Sequence, residues 1–114
     1  MVLAIGRLKG GEHEYVRQDI AHVVEAAHDG GAICKVILET GLLSDEEKVI
    51  GSTLALRAKA AFVKSSTGFA NGGATVHDIM LMRAAVGQAL LLDPAEDGIE
   101  LGVGDMEGVM LDVE

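Results

Sequence analysis

The chain has 114 residues, enough for one domain at most, and its hydrophobic content of 49% excludes a disordered polypeptide. A single cysteine excludes an internal disulfide framework and a cysteine-based zinc site, and it is typical of a reducing, cytoplasmic setting. The net charge is −9 and no cluster of Lys and Arg is present, so we expect no binding of nucleic acid. No apolar run approaches the roughly 18 residues of a membrane span, so we expect no membrane insertion.

The first two predicted elements are a strand and a helix. Residues 2–5 form a short apolar run that ends at Gly6, which is typical of a buried strand. Residues 14–27 are predicted as a helix because apolar side chains recur at three- and four-residue steps on one face, namely Tyr15, Val16, Ile20, Val23, Val24 and Ala27. The sequence Asp29-Gly30-Gly31 ends this helix.

The second unit repeats this order. Residues 33–40 are almost wholly apolar and predict a second strand, which ends at Glu39 and Thr40. Ser44 begins a helix that runs to about residue 59. Glu47 lies three positions after Ser44, so the two form a capping box in which each side chain bonds a backbone N–H of the first turn.

A third unit completes the regular part of the chain. Residues 61–65 predict a strand, and a Gly-rich loop over 67–73 follows. Thr75 caps a third helix, whose expected core residues are Ile79, Met80, Leu81, Met82 and Val86. The order β-α-β-α-β-α predicts an α/β fold with a parallel sheet, and ligands bind such sheets at the carboxyl ends of the strands.

The charge changes character after Arg83. All nine Lys and Arg residues precede this point or occupy it, whereas residues 84–114 contain acidic side chains and no basic ones. We therefore predict two regions, an α/β part over 1–87 and an acidic, Gly-rich tail over 88–114. The tail is interpreted as a solvated or weakly ordered extension, with a functional acidic patch as the alternative.

Lys64 interrupts an apolar run at the end of the third strand, where a buried ammonium is costly. Strand alternation places it on one face with Phe62, and Lys35 on the matching face of the preceding strand, so the two lysines can approach each other inside a barrel. Burial and a neighbouring cation both lower the pKa of a lysine, and the neutral amine attacks carbonyls to form Schiff bases. The structural alternative is that Lys64 reaches solvent or pairs with Glu39.

Several linked segments resemble deoxyribose-phosphate aldolase. They are KVILETGLLSDEEK (35–48), FVKSSTGF (62–69), GGATV (72–76) and the opening IGRLKGG (5–11), and the similarity runs to about Gly87. The resemblance implies a class I, metal-independent aldolase on an eight-stranded α/β barrel, with no cofactor. It also implies that Lys64 forms the Schiff base with the aldehyde and that Thr67 and Gly68 lie beside the substrate. Strand alternation, and not the resemblance, makes Lys35 the candidate neighbour that tunes the pKa of Lys64.

The implied activity is the reversible cleavage of 2-deoxyribose 5-phosphate to acetaldehyde and glyceraldehyde 3-phosphate. Three features of the family are missing from this sequence: an Asp on the fourth strand that relays protons, a second lysine on the seventh strand, and the phosphate-binding loops after strands seven and eight. We therefore expect a partial TIM barrel of about three βα units. The alternative function is a catalytically inactive fragment that self-associates, or complements a barrel half, through its exposed sheet edges.

The remaining polar candidates have structural interpretations. The four histidines lack a convincing metal-ligand arrangement and are expected on the surface: His13, His22, His28 and His77. Cys34 is expected to be a small buried hydrophobic residue, and Asn71-Gly72-Gly73 is interpreted as a turn between a strand and a helix.

Overall fold

The computed structural model describes residues 1–69, 74–87 and 91–93. Three parallel strands form a sheet in which each strand pairs with the one before it in the chain, in the order β1 (Lys35–Ile37), β2 (Phe62–Lys64) and β3 (Leu91–Asp93). Val2 extends the sheet beyond β1 through a parallel bridge to Ile37. The predicted parallel α/β arrangement is confirmed.

Four α-helices accompany these strands over the described residues: α1 (Ile5–Lys9), α2 (His13–Asp29), α3 (Asp45–Arg57) and α4 (Val76–Val86). A short 3-10 helix over Thr40–Leu42 follows β1. The helix α3 contacts both α2 and α4, so it is the central helix of the layer. Its predicted capping box is present, because Ser44 and Glu47 bond each other's backbone N–H at 3.1 and 2.9 Å.

The core lies between one face of the sheet and these helices. Val36 and Val63 are register partners, and both are fully buried. They belong to one cluster of buried apolar residues that includes Leu38, Val16, Ile20, Val24, Leu54, Ala55, Met82 and Val86. Burial of each large member of such a cluster contributes about 1.5–3 kcal/mol to folding. Cys34 belongs to the same cluster, as predicted.

The end of α2 is a Schellman motif with glycine at its left-handed position. Gly31 has a φ of +80°, and its N–H donates to the carbonyl of His28. The next N–H, from Ala32, donates to the carbonyl of Ala27 at 2.8 Å. Glycine suits this position because it has no Cβ to clash at positive φ.

The end of α3 is the same motif, but here a lysine occupies the left-handed position. Lys59 has a φ of +70° and donates its N–H to Leu56, and Ala60 donates to Ala55. A side chain at this φ costs about 1–2 kcal/mol relative to glycine.

We therefore expect Lys59→Gly to raise the free energy of unfolding by about 1 kcal/mol. Gly31→Lys, the reverse change at the matching position of α2, is the control and should lower it by a similar amount. Chemical denaturation of both variants beside wild type measures the difference, and a loss of stability in Lys59→Gly would contradict the expectation.

The predicted first strand over 2–5 is wrong at its second half. Only Val2 forms a bridge, and Ile5 is already the first residue of α1. The physical reason is that Leu8 is 3% exposed, and a helical turn over 5–9 brings this side chain onto the core.

Three residues predicted to face the core do not. Tyr15 and Val23 of α2 are 47% and 38% exposed, and Met80 of α4 is 65% exposed. On α2 the buried residues are limited to positions four apart, Val16, Ile20 and Val24, and the positions between them reach solvent. Tyr15 instead lies under the Arg7 guanidinium, 4.2 Å from the ring centroid.

The strands are shorter than predicted, and β3 was not predicted at all. Pairing with β2 is limited to Lys35–Ile37, and Ile33, assigned to the strand, is 60% exposed. The strand β3 lies within the region assigned to the acidic tail, where its backbone pairs with β2. The turn at Asn71-Gly72-Gly73 and the rest of the predicted tail lie outside the described residues.

Candidate active site

Lys64 is the last residue of β2, at the carboxyl edge of the parallel sheet. Its neighbours in strand register are Ile37 on β1 and Asp93 on β3, and its side chain is partly buried. Lys64 therefore lies on the central strand of the three, at the carboxyl end of the sheet, where α/β proteins bind ligands.

Lys35 shares the sheet face of Lys64, as strand alternation predicts. It is the register partner of Phe62, two residues before Lys64 on the same strand. Its ammonium lies over the Phe62 ring, 4.9 Å from the centroid, which is within the range of a cation–π interaction. The structure thus places a second cation on the face that carries Lys64.

Glu39 lies at the end of β1 and binds the loop that follows β2. One of its carboxylate oxygens accepts a hydrogen bond from the Thr67 backbone N–H at 3.1 Å, and the other accepts from the Thr67 hydroxyl at 2.7 Å. Glu39 is 6% exposed. The hydrogen bonds given for the Glu39 carboxylate are both with Thr67.

Thr67 and Gly68, the predicted substrate-binding residues, lie in this loop. The Thr67 hydroxyl donates to Glu39 and accepts from the backbone N–H of Phe69 at 3.1 Å. Gly68 is exposed and has a φ of +88°, which a larger residue adopts only with strain. The loop therefore has a defined conformation, with one acceptor position left on the Thr67 hydroxyl.

Two buried hydroxyls lie at the same edge of the sheet. Thr40 Oγ1 and Ser66 Oγ have no hydrogen-bond partner within the described part of the chain, and both residues are 2% exposed. Thr40 follows β1, and Ser66 follows β2. Buried polar atoms of this kind usually find water or a ligand, so this edge has the character of a polar binding site.

Comparison with known proteins shows what this chain is similar to. A curated relative named deoxyribose-phosphate aldolase, from Thermococcus kodakarensis, is 58% identical over 87 residues, which are 76% of this chain and 39% of the relative. The resemblance to deoxyribose-phosphate aldolase is confirmed. The chain thus spans about two fifths of the length of the curated relatives that it matches. No protein-family model matches the sequence.

Solved aldolase structures share the fold. A protein assigned as a deoxyribose-phosphate aldolase, from Coccidioides immitis, superposes with a TM-score of 0.76 at 37% identity over 82% of this chain and 38% of its own. A deoxyribose phosphate aldolase of Aeropyrum pernix, described as a unique tetramer, gives a TM-score of 0.67 at 26% identity, over 82% of this chain and 39% of its own. The predicted fold class, part of an α/β barrel, is confirmed.

An ionic network joins α3 to α4, and sequence analysis did not predict it. Lys48 of α3 pairs with Asp78 of α4 at 2.5 Å and with Asp45 at 3.3 Å, and Asp45 contacts His77 at 2.8 Å. The Thr75–Asp78 cap was the only sequence signal nearby, and it is present at 3.0 Å. The network joins the first turns of α3 and α4, the helices on either side of β2 in the chain.

Contacts within this network shift the pKa values of Lys48 and Asp45. Burial lowers the pKa of Lys48, but its bonds with Asp78 and Asp45 outweigh burial and raise that pKa above 10.5. The hydrogen bond with His77, and then the bond with Lys48, hold the pKa of Asp45 below its ordinary value. Both shifts favour the charged forms of Lys48 and Asp45.

A cavity lined by α2 and the end of α3 lies away from Lys64. It has a volume of about 460 Å³ and is lined by residues of α2 and of the end of α3, among them Arg17, Glu25, His28, Arg57 and Lys59. These residues precede the amino ends of β1 and β2, whereas Lys64 lies at a carboxyl end. The cavity is therefore not the predicted site.

No described helix has the length and apolar character needed to cross a membrane. Among the described residues, no three His, Cys, Asp or Glu side chains group together as metal ligands would.

Proposed function

We propose that Lys64 is the Schiff-base lysine of a deoxyribose-phosphate aldolase reaction. The observation that carries the proposal is the position of Lys64 at the carboxyl end of a parallel strand, inside the segment that is 58% identical to a named aldolase. Partial burial supports it, since limited access of water favours a neutral, nucleophilic amine.

The reaction proceeds through a covalent imine. The neutral Lys64 amine attacks the carbonyl carbon of acetaldehyde, and the carbinolamine loses water to give a protonated imine. A base removes a proton from the methyl carbon, which leaves an enamine. The enamine carbon then bonds to the aldehyde carbon of glyceraldehyde 3-phosphate, whose oxygen takes the carbonyl electron pair and a proton to become a hydroxyl. Water hydrolyses the resulting imine to release 2-deoxyribose 5-phosphate and Lys64.

The reverse direction cleaves the sugar phosphate. The protonated imine accepts the electron pair of the breaking carbon–carbon bond, so the chemistry needs no metal ion or organic cofactor. Thr67 and Gly68 are proposed to contact the substrate, because their loop follows Lys64 directly and has a fixed conformation. We place the protein in the cytoplasm, a setting that the unpaired, buried thiol of Cys34 supports.

Borohydride trapping tests the Schiff base. Wild-type protein is incubated with acetaldehyde and borohydride, and the adduct is measured by intact mass and located by peptide mapping. We expect one reduced adduct at Lys64 and at least a tenfold loss of labelling in Lys64→Ala, because the proposed imine forms at that amine.

The control is Lys9→Ala, which removes a lysine whose ammonium pairs with Glu47 on the surface. It should leave the labelling of Lys64 unchanged. Labelling spread over many lysines, or the same labelling in Lys64→Ala as in wild type, would contradict the proposed function.

Lys35 is proposed to tune the pKa of Lys64. A cation on the same sheet face disfavours protonation of the amine, so Lys35→Met should raise the pKa of Lys64 and shift the pH profile of trapping upward by roughly half a pH unit. Lys35→Arg keeps the charge and should keep the wild-type profile. An identical profile for both variants would show that the charge of Lys35 has no effect.

The second candidate is a non-catalytic fragment that assembles with another copy of itself or with a complementary barrel half. The chain spans 39% of its relative, and parallel strands at a sheet edge present backbone groups to a further strand. Sedimentation across a hundredfold range of protein concentration tests this candidate. A size that rises with concentration, together with no adduct at Lys64, would favour it over the aldolase.

A further inference from the structure

We propose that Glu39 is a positioning residue, whose carboxylate fixes the loop that carries Thr67 and thereby the surroundings of the Lys64 amine. The consequence for trapping rests on the proposed function, whereas the effect on the loop does not. Glu39 itself is not placed in contact with the reacting atoms. It acts through Thr67, which lies three residues after Lys64.

The backbone at Glu39 forms a bulge between the ends of β1 and β2. The Leu38 N–H donates to the Lys64 carbonyl, and the Thr40 N–H donates to the Ser65 carbonyl, each at 2.9 Å. The two N–H donors are therefore two residues apart on the first strand, whereas the two carbonyls that accept are adjacent residues on the second. Regular parallel pairing matches two steps with two, so Glu39 is the extra residue, as in a β-bulge.

The bulge puts Glu39 in a conformation that its side chain disfavours. Its φ and ψ are +62° and +63°, the left-handed region in which glycine is at ease and other residues are strained. A strained backbone conformation is retained where contacts with the surrounding structure outweigh the cost of the strain. Here the two hydrogen bonds from Thr67 to the buried carboxylate offset the strain.

The carboxylate holds the loop at two points. It accepts from the backbone and from the hydroxyl of Thr67, so both the chain path and the side-chain rotamer are fixed. Ser65 and Ser66, between Lys64 and Thr67, are 0% and 2% exposed. The two residues between Lys64 and Thr67 are therefore enclosed, so a displacement of Thr67 also displaces Lys64. Because covalent catalysis depends on sub-ångström placement, this link controls the rate of imine formation.

Substitution by glycine separates the carboxylate from the backbone. Glu39→Gly removes the carboxylate yet suits the left-handed conformation, so the bulge is kept without strain. We expect at least a tenfold slower trapping of Lys64 and at least tenfold faster exchange of the Thr67 amide hydrogen, since two charge-assisted hydrogen bonds are lost. Thr67→Val, which removes one of them, should also slow trapping.

Conservative variants distinguish positioning from general stability. Glu39→Gln keeps an oxygen acceptor for the Thr67 N–H, and Thr67→Ser keeps the hydroxyl, so both should restore most of the wild-type rate. Glu14→Gln is the matched control, because Glu14 is an exposed carboxylate whose partners Arg17 and Gln18 lie on the outer side of α2. It should trap acetaldehyde at the wild-type rate.

The outcomes separate this proposal from the proposed function. Trapping within twofold of wild type in Glu39→Gly, with wild-type exchange at Thr67, would overturn the positioning role and leave the Schiff base standing. If wild type forms no adduct at Lys64, the proposed function fails, and exchange at Thr67 still decides whether Glu39 fixes the loop. If Glu39→Gly does not fold, amide hydrogen exchange at residue 67 decides, because it reports the loop and not contact with the substrate. Equal exchange in Thr67→Val and Thr67→Ser would then overturn the proposal.

Discussion

Asp78→Ala should lower the free energy of unfolding by about 3 kcal/mol, because it leaves the Lys48 ammonium buried without its closest counter-charge. The two side chains are 8% and 12% exposed, and they join α4 to α3 at 2.5 Å. Asp45 remains as a second partner of Lys48, but it lies at 3.3 Å and is largely exposed. Urea denaturation of wild type and variant measures the difference.

The double variant Lys48→Met with Asp78→Leu is the matched comparison. It removes both charges and places apolar side chains in the space of the ion pair, so its stability should return to within about 1 kcal/mol of wild type. His77→Ala, which removes only the exposed contact to Asp45, should have a small effect. A double variant as unstable as Asp78→Ala would show that the charges themselves do not account for the loss.

The network also sets the direction of the pH dependence of stability. The raised pKa of Lys48 means that its contribution is complete below about pH 10.5 and is lost as the pH rises through the raised value. The lowered pKa of Asp45 means that its contribution is present above pH 3.8 and is lost as the pH falls through the lowered value. Denaturation at several alkaline pH values should show a smaller decline in Asp78→Ala than in wild type.

Ile20→Ala is expected to lower the free energy of unfolding by about 3–4 kcal/mol, through lost apolar burial and the cavity that remains. Ile20 is 0% exposed and belongs to the buried cluster between α2 and the sheet. Val23→Ala is the control on the same helix, since Val23 is 38% exposed and its truncation should cost less than about 1 kcal/mol. Equal losses in the two variants would mean that the buried stripe of α2 is assigned wrongly.

Local sequence signals predicted most of the helices and the face of the sheet that carries the lysines. The capping box of Ser44 and Glu47 depends on residues three apart, so it could be read directly and is present. The shared face of Lys35 and Lys64 follows from the two-residue period of strands, and the register confirms it. Such features need only neighbouring residues and a correct choice of element.

The features that were missed depend on pairing across the chain. Lys48 and Asp78 are 30 residues apart, and only the packing of α3 on α4 brings them together. The bulge at Glu39 requires knowledge of which carbonyl each backbone N–H reaches. The strand β3 exists because β2 offers it an edge, although its own sequence lies in an acidic, Gly-rich context.

The order of the strands bears on how the chain folds. Val2 and the three strands are neighbours in the sheet in the same order as in the sequence, so no strand must wait for a distant segment before it can pair. Each strand then pairs with the strand that precedes it in the sequence, so the connecting segments are short. Short connections favour faster folding than pairing between distant segments. A chain emerging from the ribosome can therefore add one strand and one helix at a time, and Lys64 reaches the carboxyl end of the sheet once β2 has paired with β1.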